Sequence, residues 1–252
     1  MSIKDHSLVI FGATGGIGAA LGRQLAPLGC RLTLAARNQS CLDTLSGELH
    51  AQACPVEAMD SEGVDRCLAE ASERYGRLDD VVNCVGSLFL KPAHATQDAD
   101  WAEVIATNLT SSFYILRSAA RLMMRSGGGS IVLMASAVAQ RGMINHEAIA
   151  AAKAGVVGLA LSAAATYARY NVRVNCVAPG LTRTPLTASL TQNELTLRAS
   201  AALHPLGRIG EPEEVASAIR WFLSPEQSWV TSQVLAVDGG LSNLQSRMAS
   251  NP

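Results

Sequence analysis

The stretch that decides the fold is Leu8-Val9-Ile10-Phe11-Gly12-Ala13-Thr14-Gly15-Gly16-Ile17-Gly18, a short apolar run that breaks into a glycine-rich turn. An apolar segment through Leu21 and Leu25 follows at helical spacing, so the order is strand, glycine turn, helix. Glycines suit a turn that must reverse sharply, bring its backbone close to a pyrophosphate and aim helix N-terminal N–H groups at the negative charge. A glycine pattern alone is weak, and its place in the first βαβ unit strengthens it. The segment is read as a dinucleotide cradle made by Gly12, Thr14, Gly15, Gly16, Ile17 and Gly18, the alternative being a packing turn that binds nothing.

Outward from this turn, short Val/Ile/Leu runs alternate with longer alanine-rich segments of helical period, the pattern of a parallel sheet covered on both faces. The spacing predicts about seven strands, at Ser7 to Phe11, Arg31 to Ala36, Pro55 to Met59, Asp80 to Asn83, Ser130 to Met134, Val172 to Val177 and Gln233 to Val237. The longest helices are expected over Trp101 to Arg125 and Glu147 to Arg169, the second rich enough in Ala and Gly for a neighbour to approach its backbone. From Gly180 to His204 the chain is polar, rich in Thr and Leu and without a clear strand. Pro205, Gly207, Gly210 and Pro212 then punctuate it, so a substrate lid is expected at about 181–210. With no repeat or linker, residues 1–252 read as one doubly wound α/β domain.

Composition narrows the function. Hydrophobic residues make up 48% of the 252 and charged residues 16%, enough for an aliphatic core and against disorder. A net charge of -1 without a Lys/Arg stripe argues against nucleic acid. The six cysteines form no C-x-x-C pair or Cys/His cluster, so no metal is expected and the thiols read as reduced packing residues. Ser7 to Phe11 is too short for a secretory h-region, and no segment is expected to approach the ~20 apolar residues of a membrane span. The expectation is a cytoplasmic protein without a membrane partner.

The second expected strand ends in Ala35-Ala36-Arg37-Asn38, about where an NAD site carries an acidic residue for the ribose 2′-hydroxyl. Arg37 offers a fork of donors to a 2′-phosphate, and the missing carboxylate removes a repulsion. The reading favours NADP over NAD, with Arg37 as a solvated surface residue the alternative.

These features together resemble the short-chain dehydrogenase/reductase family, over Leu8 to Leu241, and the resemblance implies a single Rossmann-type domain. Gly12, Gly16 and Gly18 match its T-G-x-x-x-G-x-G turn, with Phe11 in place of the leading Thr. Asn83-Cys84-Val85-Gly86 resembles its N-N-A-G segment, which implies cofactor contacts from Asn83, Val85 and Gly86. Asp60, followed by Ser61, stands where the family binds adenine. Asn108 matches the helix-embedded active-site Asn, and Ser136 the active-site Ser. Pro179-Gly180 with Thr182 and Thr184 is similar to the P-G-x-x-x-T loop around the nicotinamide, and Val237-Asp238-Gly239-Gly240 to the closing strand. A homodimer or homotetramer is what the resemblance implies.

One position departs from the family. Where a Y-x-x-x-K motif is expected the chain reads Ile149-Ala150-Ala151-Ala152-Lys153. Residues i and i+4 share a helical face, so an ammonium there can lower a phenol's pKa from about 10 and also hold the nicotinamide ribose. Isoleucine has no proton to give. Upstream, Asn145-His146-Glu147 offers two titratable groups. At 100° per residue His146 falls roughly 20° from Lys153 and 60° from Ile149, whereas Glu147 falls roughly 160° from Ile149, so His146 is the candidate acid if the helix covers it. Imidazole chemistry suits that role. Otherwise the run is a helix start, with Asn145 as N-cap and Glu147 favourable to the dipole.

Three functions stay open: an NADP-dependent oxidoreductase acting on a small-molecule carbonyl or alcohol, in which Ser136 orients the carbonyl, Lys153 fixes the cofactor, Asn108 supports a water relay and His146 or water supplies the proton; other chemistry on the same scaffold; or a catalytically silent nucleotide-binding subunit of a hetero-oligomer. Leu181, Leu186, Leu190, Leu195, Leu197 and Leu203 in the lid fit an apolar ligand or ordinary lid packing equally.

Overall fold

The structure is a computed structural model describing residues 3–245; residues 1–2 and 246–252 of the expected unit lie outside the described residues. In chain order the elements are β1 (Ser7–Phe11), α1 (Gly16–Leu25), β2 (Arg31–Ala36), α2 (Gln39–Leu49), β3 (Gln52–Pro55), α3 (Ser61–Tyr75) and β4 (Asp80–Asn83). Next come α4 (Asp98–Ile105), α5 (Ser111–Ser126), β5 (Gly129–Met134), α6 (Glu147–Tyr167) and β6 (Val172–Pro179). The last are α7 (Ala188–Thr191), α8 (Glu194–Leu203), α9 (Pro212–Leu223) and β7 (Val234–Val237). The seven strands form one sheet in the order β3-β2-β1-β4-β5-β6-β7, and every neighbouring pair is parallel. This is the doubly wound, Rossmann-type architecture expected from the sequence.

Alternation along each strand divides the core between two faces. In β1, Val9 and Phe11 point into a layer with α3, α5 and α6 residues such as Leu68, Ile115 and Val156. Leu8 and Ile10 point the other way, onto Leu21 and Leu25 of α1, Leu42 of α2, and Ile219 and Phe222 of α9. β5 repeats the division, with Ile131 and Leu133 on the first face and Val132 and Met134 on the second.

The order reverses between β1 and β4, the two strands on either side of the sheet's switch point. Helices leave these strands in opposite directions, so their carboxyl ends open into a crevice where α/β folds bind ligands. The crevice is positioned by register, since Phe11 pairs with Ala35 on β2 and with Asn83 on β4.

Some sequence expectations need correction. The third strand spans Gln52–Pro55, not Pro55 to Met59; its last rung is the Val56 N–H to the Ala36 carbonyl at 3.0 Å, and because its one neighbour β2 ends at Ala36, the chain beyond has no strand to pair with. The helix expected over Trp101 to Arg125 is interrupted by a π-turn at Ala106–Thr110, where the Ser111 N–H reaches back to the Ala106 carbonyl. Asn145 is not an N-cap. It takes φ 64°, which Asn tolerates, and the cap of α6 is His146. The helical run Glu147–Tyr170 is long and apolar enough to cross a membrane, against the expectation that no segment is. Much of its apolarity comes from buried alanines: Ala152 packs with Val104 of α4, and Ala160, Ala163 and Ala164 lie in the main core against the sheet. Close approach to this helix does occur: a Cβ on Gly155 would lie 2.8 Å from Leu109 Cδ2 of the π-turn.

Phe222 is 1% exposed and has no room to relax outward. Replacing it, Phe222→Ala, is expected to destabilise the fold by about 3–5 kcal/mol, measured by urea unfolding followed by circular dichroism.

Candidate functional site

The glycine turn is tightly built. Gly12 has φ +71°, and a Cβ there would lie 2.9 Å from the Cys84–Val85 peptide, so this backbone passes directly over the end of β4. A Cβ on Gly16 would lie 2.7 Å from Thr184 Cγ2, and one on Gly18 would run into the Gly12 carbonyl oxygen. The turn thus presents bare backbone to a groove of about 360 Å³ lined by Gly12, Thr14, Gly15, Gly16, Ile17, Gly18, Arg37, Asn38, Val85, Gly86 and Thr184. A cradle that side chains would fill is what a pyrophosphate requires, and α1 begins at Gly16 with its free N–H groups at the same place. The chain's residues fit a dinucleotide.

Not every residue expected along the groove reaches it. Asp60 caps α3, its Oδ1 accepting from the Glu62 N–H at 3.1 Å, and Ser61 Oγ accepts from Arg117 at 2.6 Å; neither lines the groove. Asn83 is buried and works inward: Nδ2 donates to Ser112 Oγ, and Oδ1 accepts the Val85 N–H, both at 2.9 Å. It shapes the loop that lines the groove. Asn38 lines the groove and also caps α2.

Sequence reading missed Val56, Glu57 and Ala58, which the early end of β3 releases into the groove. Glu57 lies 3.5 Å from Arg37, whose side chain is 76% exposed. Assigning those residues to a strand hid a carboxylate beside the one guanidinium singled out for phosphate.

Ile17, Cys84, Val85, Gly86, Thr184 and Leu186 belong both to this groove and to a second cavity of about 570 Å³, so the two are continuous. Ser136, His146, Ile149, Lys153, Pro179, Gly180, Thr182 and Thr184 line the second cavity. Ser136 follows β5 and starts a 3₁₀ turn, its Oγ accepting the Val138 N–H at 3.4 Å. Lys153 is 6% exposed and donates to the Met134 carbonyl at 2.9 Å. Burial disfavours the ammonium and lowers its pKa from 10.5 to about 8. The neighbouring thiols Cys84 and Cys176 are pushed up to about 12 by burial, so they are neutral and unreactive.

Gly86 separates Lys153 from Asn108: a Cβ there would lie 3.3 Å from Lys153 Nζ and 3.2 Å from Asn108 Oδ1. Asn108 sits in the π-turn with its amide fully engaged. Nδ2 donates to Ser87 Oγ and to the Val104 carbonyl, each at 2.9 Å, and Oδ1 accepts the Ser87 N–H at 3.1 Å. Its main-chain carbonyl accepts from Ser112 Oγ at 2.7 Å. Asn108 therefore braces the loop between the groove and the cavity, and Ser87, unremarked in the sequence, is its partner.

The geometric condition placed on His146 is not met. The helix begins one residue later, at Glu147, and His146 has φ −112° and ψ 12°, so helical phase does not set its direction. Its ring still lines the cavity. Nδ1 lies 2.6 Å from the Ile144 carbonyl, which places a proton on Nδ1 and leaves Nε2 for other partners. Ile149 is 5% exposed and lies on the same wall.

The segment expected to act as a lid is helical, comprising a 3₁₀ turn at Pro185–Thr187, then α7 and α8. Its two ends are latched together: the Gly210 N–H donates to the Leu181 carbonyl and the Arg183 N–H to the Gly210 carbonyl, both at 2.9 Å. His204 adds a second latch, Nε2 accepting the Leu181 N–H at 3.2 Å while Nδ1 meets the Ser200 carbonyl at 2.8 Å.

A bare-backbone cradle at the switch point of a doubly wound parallel sheet defines a protein of the Rossmann class. A family model described as enoyl-(acyl carrier protein) reductase matches residues 12–242. The chain is 32% identical to a 3-oxoacyl-(acyl-carrier-protein) reductase of Vibrio cholerae, over 96% of this chain and 99% of that one. Among solved structures, a short-chain type dehydrogenase/reductase from Mycobacterium ulcerans superposes with a TM-score of 0.93 at 31% identity, covering 96% of this chain and 91% of the other. A single-substitution variant of actinorhodin polyketide ketoreductase with NADPH gives 0.90 at 31% identity, covering 97% and 100%. The chain belongs to the short-chain dehydrogenase/reductase family of oxidoreductases.

The buried ammonium carries a signed pH dependence. Between pH 8 and 10.5 the unfolded chain keeps a proton on Lys153 that the folded chain has lost, so this group makes stability rise with pH across that window. Lys153→Met is expected to remove the rise, so that the wild-type-minus-variant stability climbs by about 1 kcal/mol per pH unit in urea unfolding series from pH 8 to 10.

Proposed function

We propose that this chain is an NADP(H)-dependent oxidoreductase that reduces a carbonyl, or oxidises the corresponding alcohol, without a tyrosine proton donor. The continuity of the glycine-cradled groove with the cavity holding Ser136 and Lys153 carries the reading. When bound, the dinucleotide supplies or accepts the hydride. Gly12 to Gly18 hold its pyrophosphate, Arg37 its 2′-phosphate, and Pro179 to Thr184 the nicotinamide end. The Vibrio relative's name as a reductase and the NADPH in the ketoreductase structure support the choice of reaction and cofactor.

On the protein side, the Ser136 hydroxyl orients the substrate oxygen. Lys153 holds positive charge where the groove meets the cavity, and Asn108 supports the water relay by fixing Ser87. Ile149 occupies the register of the family's acid, so the proton comes from His146 through Nε2 when its ring is protonated, or from water. The domain is one unit over residues 1–252, with the lid at about 181–210. Phe113 on α5 and Leu161 on α6 are about 40% exposed and offer apolar faces for a homodimer or homotetramer. Six free thiols suit a reducing, cytoplasmic setting. Ile149 also favours a second reading, a silent subunit paired with a tyrosine-bearing relative.

Nucleotide binding is read by reduced-nicotinamide fluorescence: NADPH should bind more tightly than NADH, and Arg37→Asp should reverse the order. No response to either nucleotide would sink the cofactor reading, and an equal loss of both in the variant would contradict the role of Arg37. Turnover is read with NADPH against a panel of ketones, quinones and enones. Loss of a general acid costs about 10²–10⁴ in rate, so Ile149→Tyr should raise a slow wild-type activity by a factor in that range, and His146→Ala should lower it. Unchanged turnover in His146→Ala leaves water as the donor. Wild-type inactivity, with a tyrosine-bearing subunit copurifying, favours the silent reading.

A further inference from the structure

The second cavity has a one-sided charge inventory. Among the described residues its walls carry two cationic side chains, Arg141 and Lys153, and no aspartate or glutamate. Most of the remainder is aliphatic, including Leu88, Leu90, Ile149 and Leu190. Two histidines line it as well: His204 Nε2 accepts the Leu181 N–H, a role that requires a lone pair, whereas His146 keeps Nε2 free and, when protonated, adds only to the positive side.

Several arginines, among them Arg23, Arg77, Arg183 and Arg208, meet a carboxylate; Arg141, like Arg117 and Arg173, has no carboxylate side chain within ion-pair distance among the described residues, and of these three it alone lines the cavity. Residues 246–252 contain no aspartate or glutamate. The guanidinium is held by one nitrogen: Nη1 donates to the Leu241 and Leu244 main-chain carbonyls. Those bonds hold it in place without neutralising it. Nε and Nη2 have no acceptor among the described residues, and together they form the side-on fork that matches a planar carboxylate. A partly buried guanidinium without a counterion among the described residues costs desolvation that an anionic ligand would offset.

We infer that the substrate of this cavity is an apolar molecule bearing a carboxylate, with Arg141 the residue that selects the anion. The inference rests on reading the cavity as the substrate site of the proposed oxidoreductase. An aliphatic body fits the walls, a volume of about 570 Å³ suits a small organic acid, and the absence of acidic side chains among the described lining residues removes the groups that would repel it.

The test uses isothermal titration of the full-length protein with octanoate and with octanamide, a neutral analogue of the same shape, with and without saturating NADPH. Charge-assisted hydrogen bonds of this kind predict that octanoate binds about tenfold or more tightly than octanamide. Arg141→Gln should bring the two within about threefold, and Arg141→Lys should keep part of the preference. Because Arg141 also secures the Leu241 segment, the wild-type comparison stands independently of whether a variant folds. Equal affinities in the wild type, no binding of either probe, or a preference that survives Arg141→Gln but disappears in Lys153→Met would each overturn the inference. Octanoate preference without NADPH binding defeats the oxidoreductase reading and leaves the anion site standing; NADPH binding without that preference does the reverse.

Discussion

The close passage of Gly12 over the Cys84–Val85 peptide is the contact on which the rest of the molecule depends. Gly12 can make it only because it has no Cβ and takes a positive φ. The crossing is stitched by hydrogen bonds: Cys84 N–H to the Phe11 carbonyl at 2.9 Å and Ala13 N–H to the Ala35 carbonyl at 3.2 Å. These bonds bring the ends of β1, β2 and β4 to one level, so the groove, the loop after β4 and the start of α1 share an edge. From that edge Gly86 continues between Asn108 and Lys153, and a substitution that lifted Gly12 would disturb both cavities at once.

The fold was legible in the sequence because it is written in periodicities that local physics enforces. Alternation in β1 and β5 sends successive side chains to opposite faces, and both runs occur in the sequence as unbroken apolar segments bounded by glycine or polar residues. The errors arose where the outcome is set by something other than the local pattern. β3 ends because its neighbour β2 ends at Ala36, and the π-turn before α5 leaves no mark in an apolar pattern that stays helical throughout.

The candidate site was legible in part. Gly12, Gly16, Gly18, Ser136 and Lys153 announce themselves by residue type and order, and the structure brings them to one continuous pair of cavities. Asp60, Ser61 and Asn83 are polar residues beside the site whose hydrogen bonds are satisfied within their own surroundings, a distinction no spacing reveals. Arg141 and Glu57 were invisible for the opposite reason. Each lies in an unpatterned loop, and what sets it apart is the charge of the residues it does or does not meet in space. His146 shows the cost of extending helical phase past a cap, since one residue of start position decides whether the argument applies.

The Arg37–Glu57 pair bears on how a nucleotide phosphate would be recognised. A guanidinium already beside a carboxylate is not a vacant socket. If Arg37 holds a 2′-phosphate as proposed, that phosphate would trade places with Glu57, and the free energy of the trade would be a difference between two ion pairs in solvent. Because Arg37 is largely exposed, both pairs are weakened by dissolved salt. Cofactor choice at this edge would thus follow the ionic composition of the surroundings, with Glu57 acting as a built-in competitor that keeps the preference shallow.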